Sequence, residues 1–420
     1  MNILLIGNGG REHAIADKIA SSPKCTTLYI TKGNYGTNKI AIPIDISPTD
    51  VPAIVDFAKS NAIDFVIVAP DDPLALGLVD MLTAAGIRAF GPTRLAAKIE
   101  WSKVYSKNLM KKYNIPTATY ETFDSADDAI EYLKTQTFPI VIKAEGLALG
   151  KGVIIAQNFE EANIAIKDIM LDKAFGEAGN RVVIEEFLSG REITVLAFTD
   201  GTTLKLMPSS QDHKRALDND QGLNTGGMGA YSPSPIFTPA LKAKAMDEIF
   251  TPTLNALNSE GIKFKGVLYF GLILTDNGLK VIEYNSRFGD PETQVILPQL
   301  QTDLLEIFEA IVDEKLDSID IKWNNSPTMC VVMASGGYPK KYQTGKEIFG
   351  IDDATANNNK VYISGALEQN GKPVTSGGRV LCVVGQGETL ADAATHAYSG
   401  VKKISFEDMH YRTDIGKSNE

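Results

Sequence analysis

Lys143-Ala-Glu-Gly146-Leu-Ala-Leu-Gly150-Lys151-Gly152-Val153 follows directly on the apolar run Pro139-Ile-Val-Ile, so a strand delivers the chain into a loop with glycines at 146, 150 and 152. Glycine lets the backbone come close to a polyphosphate, and the lysines flanking the loop offset its charge. This is not a Walker A loop, because Gly152 stands where that motif has Ser or Thr after Gly-Lys. A flexible hairpin with exposed lysines is the plain alternative. Against it, Lys143 ends an apolar strand, where an unpaired ammonium is costly to desolvate, so a bound anion explains it better.

Three further stretches carry chemistry. Glu185-Glu-Phe-Leu-Ser-Gly-Arg-Glu192 puts three carboxylates at the end of the apolar run Val182-Val-Ile. A carboxylate can accept from ribose hydroxyls and a strand end can read an adenine edge, but a solvated turn explains the stretch equally well. Glu283-Tyr-Asn-Ser-Arg-Phe-Gly-Asp-Pro-Glu292 follows the strand Leu279-Lys-Val-Ile. A period of two sets Glu283 and Asn285 on one face, about 7 Å apart in Cα position. Two such oxygens suit Mg²⁺, which fills its remaining positions with water and phosphate. Arg287 shares that face if the strand continues, and can grip a carboxylate or phosphate with a bidentate fork. A surface hairpin is the alternative, and Pro291 favours a turn. Finally, Gly7-Asn-Gly-Gly-Arg-Glu-His13 follows a strand and opens a helix, where backbone N–H groups can receive an anion. Glu12 replaces the third glycine of a dinucleotide fingerprint, so the pattern is weak by itself. Arg11 strengthens the phosphate reading, whereas His13 reads as structural.

Composition narrows the class. With 420 residues, 44% apolar and 22% charged, the chain is globular, and at about 150 residues per domain it holds two to four domains. Acids exceed bases by 11, which argues against nucleic-acid or membrane-surface binding. The longest apolar run, Val267 to Leu274, falls far short of the roughly 20 residues that span a bilayer. With no signal peptide and three scattered cysteines, Cys25, Cys330 and Cys382, a standalone cytoplasmic protein is expected.

Along the first hundred residues short apolar runs alternate with helical periods. Strands are expected at Asn2–Ile6, Thr27–Ile30, Asp64–Ala69 and Arg88–Phe90, with helices opening at Gly10, Pro48 and Pro73. That order implies a parallel sheet covered by helices on both faces, its ligand crevice at the strands' C-terminal ends. Beyond Trp101 the adjacent strands Val182–Leu188 and Ile193–Phe198 suggest antiparallel pairing and an α+β region. Ser209 to Pro235 shows little period and reads as a long functional loop. Strands return at Gly266–Leu274 and Leu279–Tyr284, a helix near Thr302–Glu314, and a Gly-rich, strand-heavy segment from Pro327.

The three loop motifs, in this order, resemble the ATP-grasp superfamily. With Gly7–His13, Ser210-Gln-Asp-His-Lys-Arg215, Asn224-Thr-Gly-Gly-Met-Gly-Ala-Tyr231 and Gly377-Gly-Arg-Val-Leu-Cys382 added, almost the whole chain is similar to the phosphoribosylamine–glycine ligase family. The resemblance implies an α/β and α+β multidomain fold. Its expected parts are an N-terminal α/β domain at 1–100, an ATP-grasp domain at 101–295 with a mobile lid at about 120–190, a helical connection at 296–325 and a β-rich domain at 326–420. It implies ATP-dependent ligation of glycine to 5-phosphoribosylamine through a glycyl phosphate, in the second step of de novo purine synthesis, by a monomer using Mg²⁺ or Mn²⁺. Carried over residue by residue, Lys103 and Lys143 contact ATP phosphates and Gly150, Lys151 and Gly152 form the lid. Glu185, Glu186 and Leu188 line the adenine pocket, Glu192 holds the ribose, and Glu283 and Asn285 bind the metal. Gly9, Gly10 and Arg11 lie near the phosphoribosyl group. Lys214, Asn224, Thr225 and Gly227 belong to a substrate loop, with Asp212 for the glycine ammonium and Arg287 for its carboxylate. Trp101, Glu145 and Leu149 depart from the family's usual residues. The strand Val267–Leu274 lacks the acid that commonly assists the metal in other ATP-grasp enzymes.

The same residues admit other readings. They are a related ligase or carboxylase with a different acid or amine, a dinucleotide-binding oxidoreductase suggested only by Gly7–Gly10, and a nucleotide-binding regulator without turnover.

Overall fold

Asn2–Ile6 is the middle strand of a five-stranded parallel sheet, and Ile3 to Ile6 have no exposed surface, as a strand covered on both faces requires. The computed structural model describes residues 1–147, 152–355 and 359–417. The sheet order is Ile42–Ile44, Thr27–Thr31, Asn2–Ile6, Phe65–Val68, Arg88–Phe90. The order reverses at Asn2–Ile6, so a crevice opens where its C-terminal end meets that of Phe65–Val68. Gly7–Gly10 and Asp71 sit there.

Local chemistry moved some expected boundaries. Ile42–Ile44 is a short edge strand whose Pro43 masked it in the sequence. The helix expected from Pro48 begins at Val51, because the Asp50 side chain accepts from Ala53 N and sets the cap there. The helix expected from Pro73 is two, Asp71–Ala75 and Leu78–Ala84, divided by Gly77 at φ 84°.

Two antiparallel sheets follow. The first has the order Tyr120–Phe123, Val182–Glu186, Ile140–Ala144, Val153–Ala156, and helices Ala126–Leu133 and Phe159–Met170 bury Ala129, Leu133, Ile166 and Ile169 against it. The second has the order Leu204–Leu206, Arg191–Thr199, Gly266–Thr275, Gly278–Asn285. The expected pairing of the strands at 182 and 193 is therefore incorrect. Arg191–Thr199 has a longer partner, matching Gly266–Leu274 residue for residue, and the chain changes sheets across 187–190. Gly190 permits the crossing, since a Cβ there would lie 2.2 Å from the Leu274 carbonyl oxygen.

The segment 209–235 is also more ordered than its composition suggests. Arg215–Leu217 and Gln221–Asn224 form a hairpin. Gln211–Asp212 and Gly229–Ser232 join a third antiparallel sheet with Thr328–Ala334, Arg379–Gln386 and Lys360–Ile363, backed by helix Leu390–Val401. The C-terminal sheet thus draws two strands from the middle of the chain. No helix among the described residues is long and apolar enough to cross a membrane.

Candidate active site

One cleft of about 1070 Å³ takes its walls from both antiparallel sheets, the hairpin Arg215–Asn224 and the N-terminal crevice. Its cationic wall begins with Lys143 at the end of Ile140–Ala144. The Lys143 ammonium is not unpaired, contrary to the sequence argument: it lies 3.0 Å from Glu185 Oε1 and donates to the Ile282 carbonyl at 3.2 Å. Lys107, which the sequence reading missed, lies 3.0 Å from Glu185 Oε2 and donates to Thr117 Oγ1. Glu185 is therefore a buried counterion shared by two ammoniums, and the wall keeps a positive excess. Burial lowers the Lys107 ammonium to about 8, although Glu185 pulls the other way. Burial also lowers Lys103, against the opposing pull of Glu283, and its Nζ donates to the Gly146 carbonyl at 2.9 Å.

Two departures from the family pattern have defined partners. Glu145 caps the helix Lys103–Lys112 by accepting from Ser102 Oγ and Val104 N, and the Trp101 indole donates to the Arg94 carbonyl. Leu149, Gly150 and Lys151 lie outside the described residues; Gly152 lines the cleft. Leu188 also lines it, whereas the Glu186 carboxylate turns to Thr119 N and Lys280.

The acidic wall depends on a β-bulge. Gly271 pairs with Glu283 but Leu272 pairs with Val281, so Ile282 is the extra residue, and its freed carbonyl is the one that receives Lys143. Glu283 and Asn285 follow the bulge. Burial raises the Glu283 carboxyl, yet Lys214, Lys143, Lys103 and Arg287 outweigh it and hold the group below its ordinary range. With its amide oriented to satisfy its neighbours, Asn285 donates to Glu100 Oε1 at 3.0 Å and to the Tyr284 carbonyl at 3.2 Å. Glu100, on helix Arg94–Trp101, also takes Ser286 N and Oγ on Oε2, each at 2.8 Å, and Arg287 Nη2 on Oε1 at 2.7 Å. One buried carboxylate thus fixes residues 285 to 287. No motif marked it, because it lies 185 positions from Asn285 in an ordinary helix. Arg287 keeps its Nε without a hydrogen-bond partner.

The substrate side is only partly as expected. Gly9 donates its N–H to Glu12 Oε2 at 2.7 Å, so the residue replacing the third fingerprint glycine consumes a donor that the sequence reading gave to an anion. Of Gly9, Gly10 and Arg11, only Arg11 lines the cleft. Lys214 lies 3.1 Å from Glu192 and 3.6 Å from Glu283. Asp212 is half-buried, with Oδ1 enclosed and unpartnered, and desolvation followed by the charge of Glu292 pushes its carboxyl well above the usual range. Asn224 and Thr225 face the cleft; Gly227 does not, and its φ of 113° makes it a turn residue packed on Pro291. Arg379, quoted in the sequence only within a motif, donates to the carbonyls of Gly226 and Asp290 and pairs with the Asp290 carboxylate at 3.3 Å. Among the described residues no three His, Cys, Asp or Glu side chains cluster as a metal site.

Two antiparallel sheets sharing a cleft that is lysine-rich on one wall and carries Glu and Asn on the other define an ATP-grasp enzyme. A biotin carboxylase from Campylobacter jejuni has the same fold, with a TM-score of 0.75 at 15% identity over 99% of this chain and 94% of that one. Family models for the phosphoribosylglycinamide synthetase N domain, ATP-grasp (A) domain and C domain match residues 1–100, 101–293 and 328–418, and the chain belongs to this family. Phosphoribosylamine–glycine ligases of Haemophilus influenzae and Neisseria meningitidis serogroup A are 47% and 48% identical, each over 99% of this chain and 98% of the relative. The crystal structure of the Thermotoga maritima phosphoribosylamine–glycine ligase superposes with a TM-score of 0.85 at 33% identity, covering 99% of this chain and all of that one. The chain is an ADP-forming carbon–nitrogen ligase that joins glycine to 5-phosphoribosylamine in purine biosynthesis.

Proposed function

We propose that this cleft activates glycine as glycyl phosphate and passes it to the amine of 5-phosphoribosylamine, releasing glycinamide ribonucleotide, ADP and phosphate. A carboxylate is a poor electrophile until one oxygen becomes a leaving group. The γ-phosphoryl transfer that achieves this depends on positioning and charge neutralisation more than on covalent chemistry by the protein. The observation carrying the reading is the convergence of Lys103, Lys143 and Glu283 on one cleft, with Lys143 bonded to the carbonyl of the residue preceding Glu283.

Lys103 and Lys143 face the triphosphate, and Gly152 lines the same side of the cleft. Leu188 and the backbone at Glu186 receive the adenine, while Glu192 accepts from the ribose; Glu185 serves as counterion. Glu283 and Asn285 fit Mg²⁺ or Mn²⁺, since Glu283 is held ionised and already has an ammonium as neighbour. Bound there, such an ion neutralises phosphate oxygens and aligns the transferred group. Asp212 receives the glycine ammonium, whose charge relieves the repulsion from Glu292, and Arg287 meets the carboxylate. Arg11 takes the phosphoribosyl phosphate, with Lys214, Asn224 and Thr225 alongside. The amine nitrogen attacks the acyl carbon, and phosphate leaves with one former carboxylate oxygen. The enzyme works in the cytoplasm on these small molecules.

Isotope transfer tests the scheme. With glycine labelled by ¹⁸O in its carboxylate, one label must appear in inorganic phosphate, and ADP release must need both glycine and 5-phosphoribosylamine. Unlabelled phosphate from a turning-over enzyme rules out the acyl phosphate.

A further inference from the structure

Lys214 is held at its base by main-chain hydrogen bonds and at its tip by two carboxylates. Its carbonyl accepts from Thr225 N at 2.7 Å and Thr225 Oγ1 at 2.8 Å, and the neighbouring Arg215 pairs with Asn224 across the hairpin, so the main chain is fixed. The side chain beyond it has four methylenes and many rotamers. Its ammonium sits between Glu192 Oε2, at 3.1 Å, and Glu283 Oε1, at 3.6 Å. These two carboxylates come from strands on either side of Gly266–Thr275, Glu192 opposite Ile273 and Glu283 opposite Gly271. Both are about half or one-third open to the cleft, with side-chain exposures of 49% and 34%.

These are the carboxylates that the reading above gives to the ribose and the metal. A divalent cation on Glu283 and an ammonium 3.6 Å from the same carboxylate repel each other. The ribose, likewise, needs acceptor positions on Glu192 that the ammonium fills. We propose that Lys214 is a place-holding cation, which neutralises Glu192 and Glu283 in the empty cleft and gives up both when a metal–nucleotide complex enters. The inference rests on the assignment of Glu283 to the metal. A metal–nucleotide complex is net anionic, so the released ammonium keeps a counterion in the phosphate oxygens, and the cleft gains charge neutrality without moving its backbone. Lys214 accordingly opposes metal binding in the absence of nucleotide and supports nucleotide binding in its presence.

The test is Mn²⁺ alone, followed by the paramagnetic resonance of the free ion, on the full-length protein without nucleotide. Lys214→Met and Lys214→Gln should each bind Mn²⁺ about tenfold more tightly than wild type, the factor that about 1.4 kcal/mol carries. Lys214→Arg, which keeps the charge, should bind as wild type does. The same neutral variants should bind Mn²⁺–ADP more weakly. Mn²⁺ affinity that is unchanged or lower in a folded neutral variant overturns the proposal, and so does a gain that persists when Glu283→Gln is added. Failure of the metal assignment itself reads out separately, as a Glu283→Gln enzyme that binds Mn²⁺–ADP like wild type.

Discussion

Replacing Glu100 by Gln changes almost no volume and removes one charge, yet it disturbs the Glu283–Asn285 wall through three consecutive residues, 285 to 287. The carboxylate is 7% exposed and accepts from Ser286 N, Ser286 Oγ, Arg287 Nη2 and the Asn285 amide. A glutamine amide has one acceptor oxygen, so its NH₂ must face either the Ser286 donors or the guanidinium of Arg287. At least one charged hydrogen bond, of about 1.5–3 kcal/mol, is lost in either orientation. Arg287 also loses its nearest counterion, which brings the change toward the roughly 3–5 kcal/mol typical of breaking a buried pair, moderated because the Asp71 charge stays nearby. We expect about 3 kcal/mol of lost stability. Activity should fall further, because Asn285 and Arg287 shift with the released loop and a 1 Å misplacement costs on the order of 100-fold. The assay is ADP release with the metal–nucleotide complex varied, alongside urea unfolding. If Glu100→Gln keeps kcat/KM for ATP within about twofold of wild type, Glu100 does not hold this wall and the positioning argument is wrong.

Three further outcomes follow from the same geometry. Lys143→Ala should lower kcat by about 10²–10³, as losing one preorganised donor does, while stability falls little because Lys107 still pairs with Glu185; equal losses in a kinetic and a melting experiment would mark Lys143 as structural. Burial lowers the His13 imidazole from 6.5 to about 4, so between those values the unfolded chain binds the extra proton; stability is complete above pH 6.5 and lost as pH falls toward 4, by about 3 kcal/mol in all. Urea titrations of His13→Asn at pH 7 and pH 5 should show a shallower acid loss than wild type, and parallel curves would contradict this. Arg412, 1% exposed, pairs with Asp220 at 2.8 Å and Asp414 at 2.7 Å and donates to the Arg215 carbonyl, tying the C-terminal segment to the substrate hairpin. Arg412→Ala should raise KM for 5-phosphoribosylamine at least tenfold and speed hydrogen exchange across 215–224; unchanged exchange there would count against the tether.

How far the sequence could be read depended on whether local or distant contacts decide each feature. Asn2–Ile6 announced itself because Ile3 to Ile6, buried on both faces, form an unbroken apolar run, and the turn after it because Gly7 sits at φ 104°. Glu283 and Asn285 were visible because a two-residue spacing survives any tertiary context. The fate of Val182–Glu186 and Arg191–Thr199 was not, since both are good strands and the choice of partner belongs to Gly266–Thr275, some 75 residues away. Lys143 shows the same limit more sharply. Its burial was inferred correctly, but its counterion is Glu185 on the adjacent strand, and the carbonyl that completes its shell exists only because of a bulge at Ile282. Glu100 left no trace at all, because a buried acid in a helix looks like any solvent-facing one until its partners are placed.

If the lysine wall and the Glu283–Asn285 wall close on a single triphosphate, both must contact it in one complex. A crystal structure of the protein with a non-hydrolysable ATP analogue, Mg²⁺ and glycine tests this most directly. Phosphate oxygens are expected within hydrogen-bonding distance of Lys103 and Lys143 Nζ, with the ion on Glu283 and Asn285 and Lys214 withdrawn from both carboxylates. A triphosphate bound clear of either wall, or an ion held without Glu283, would contradict it.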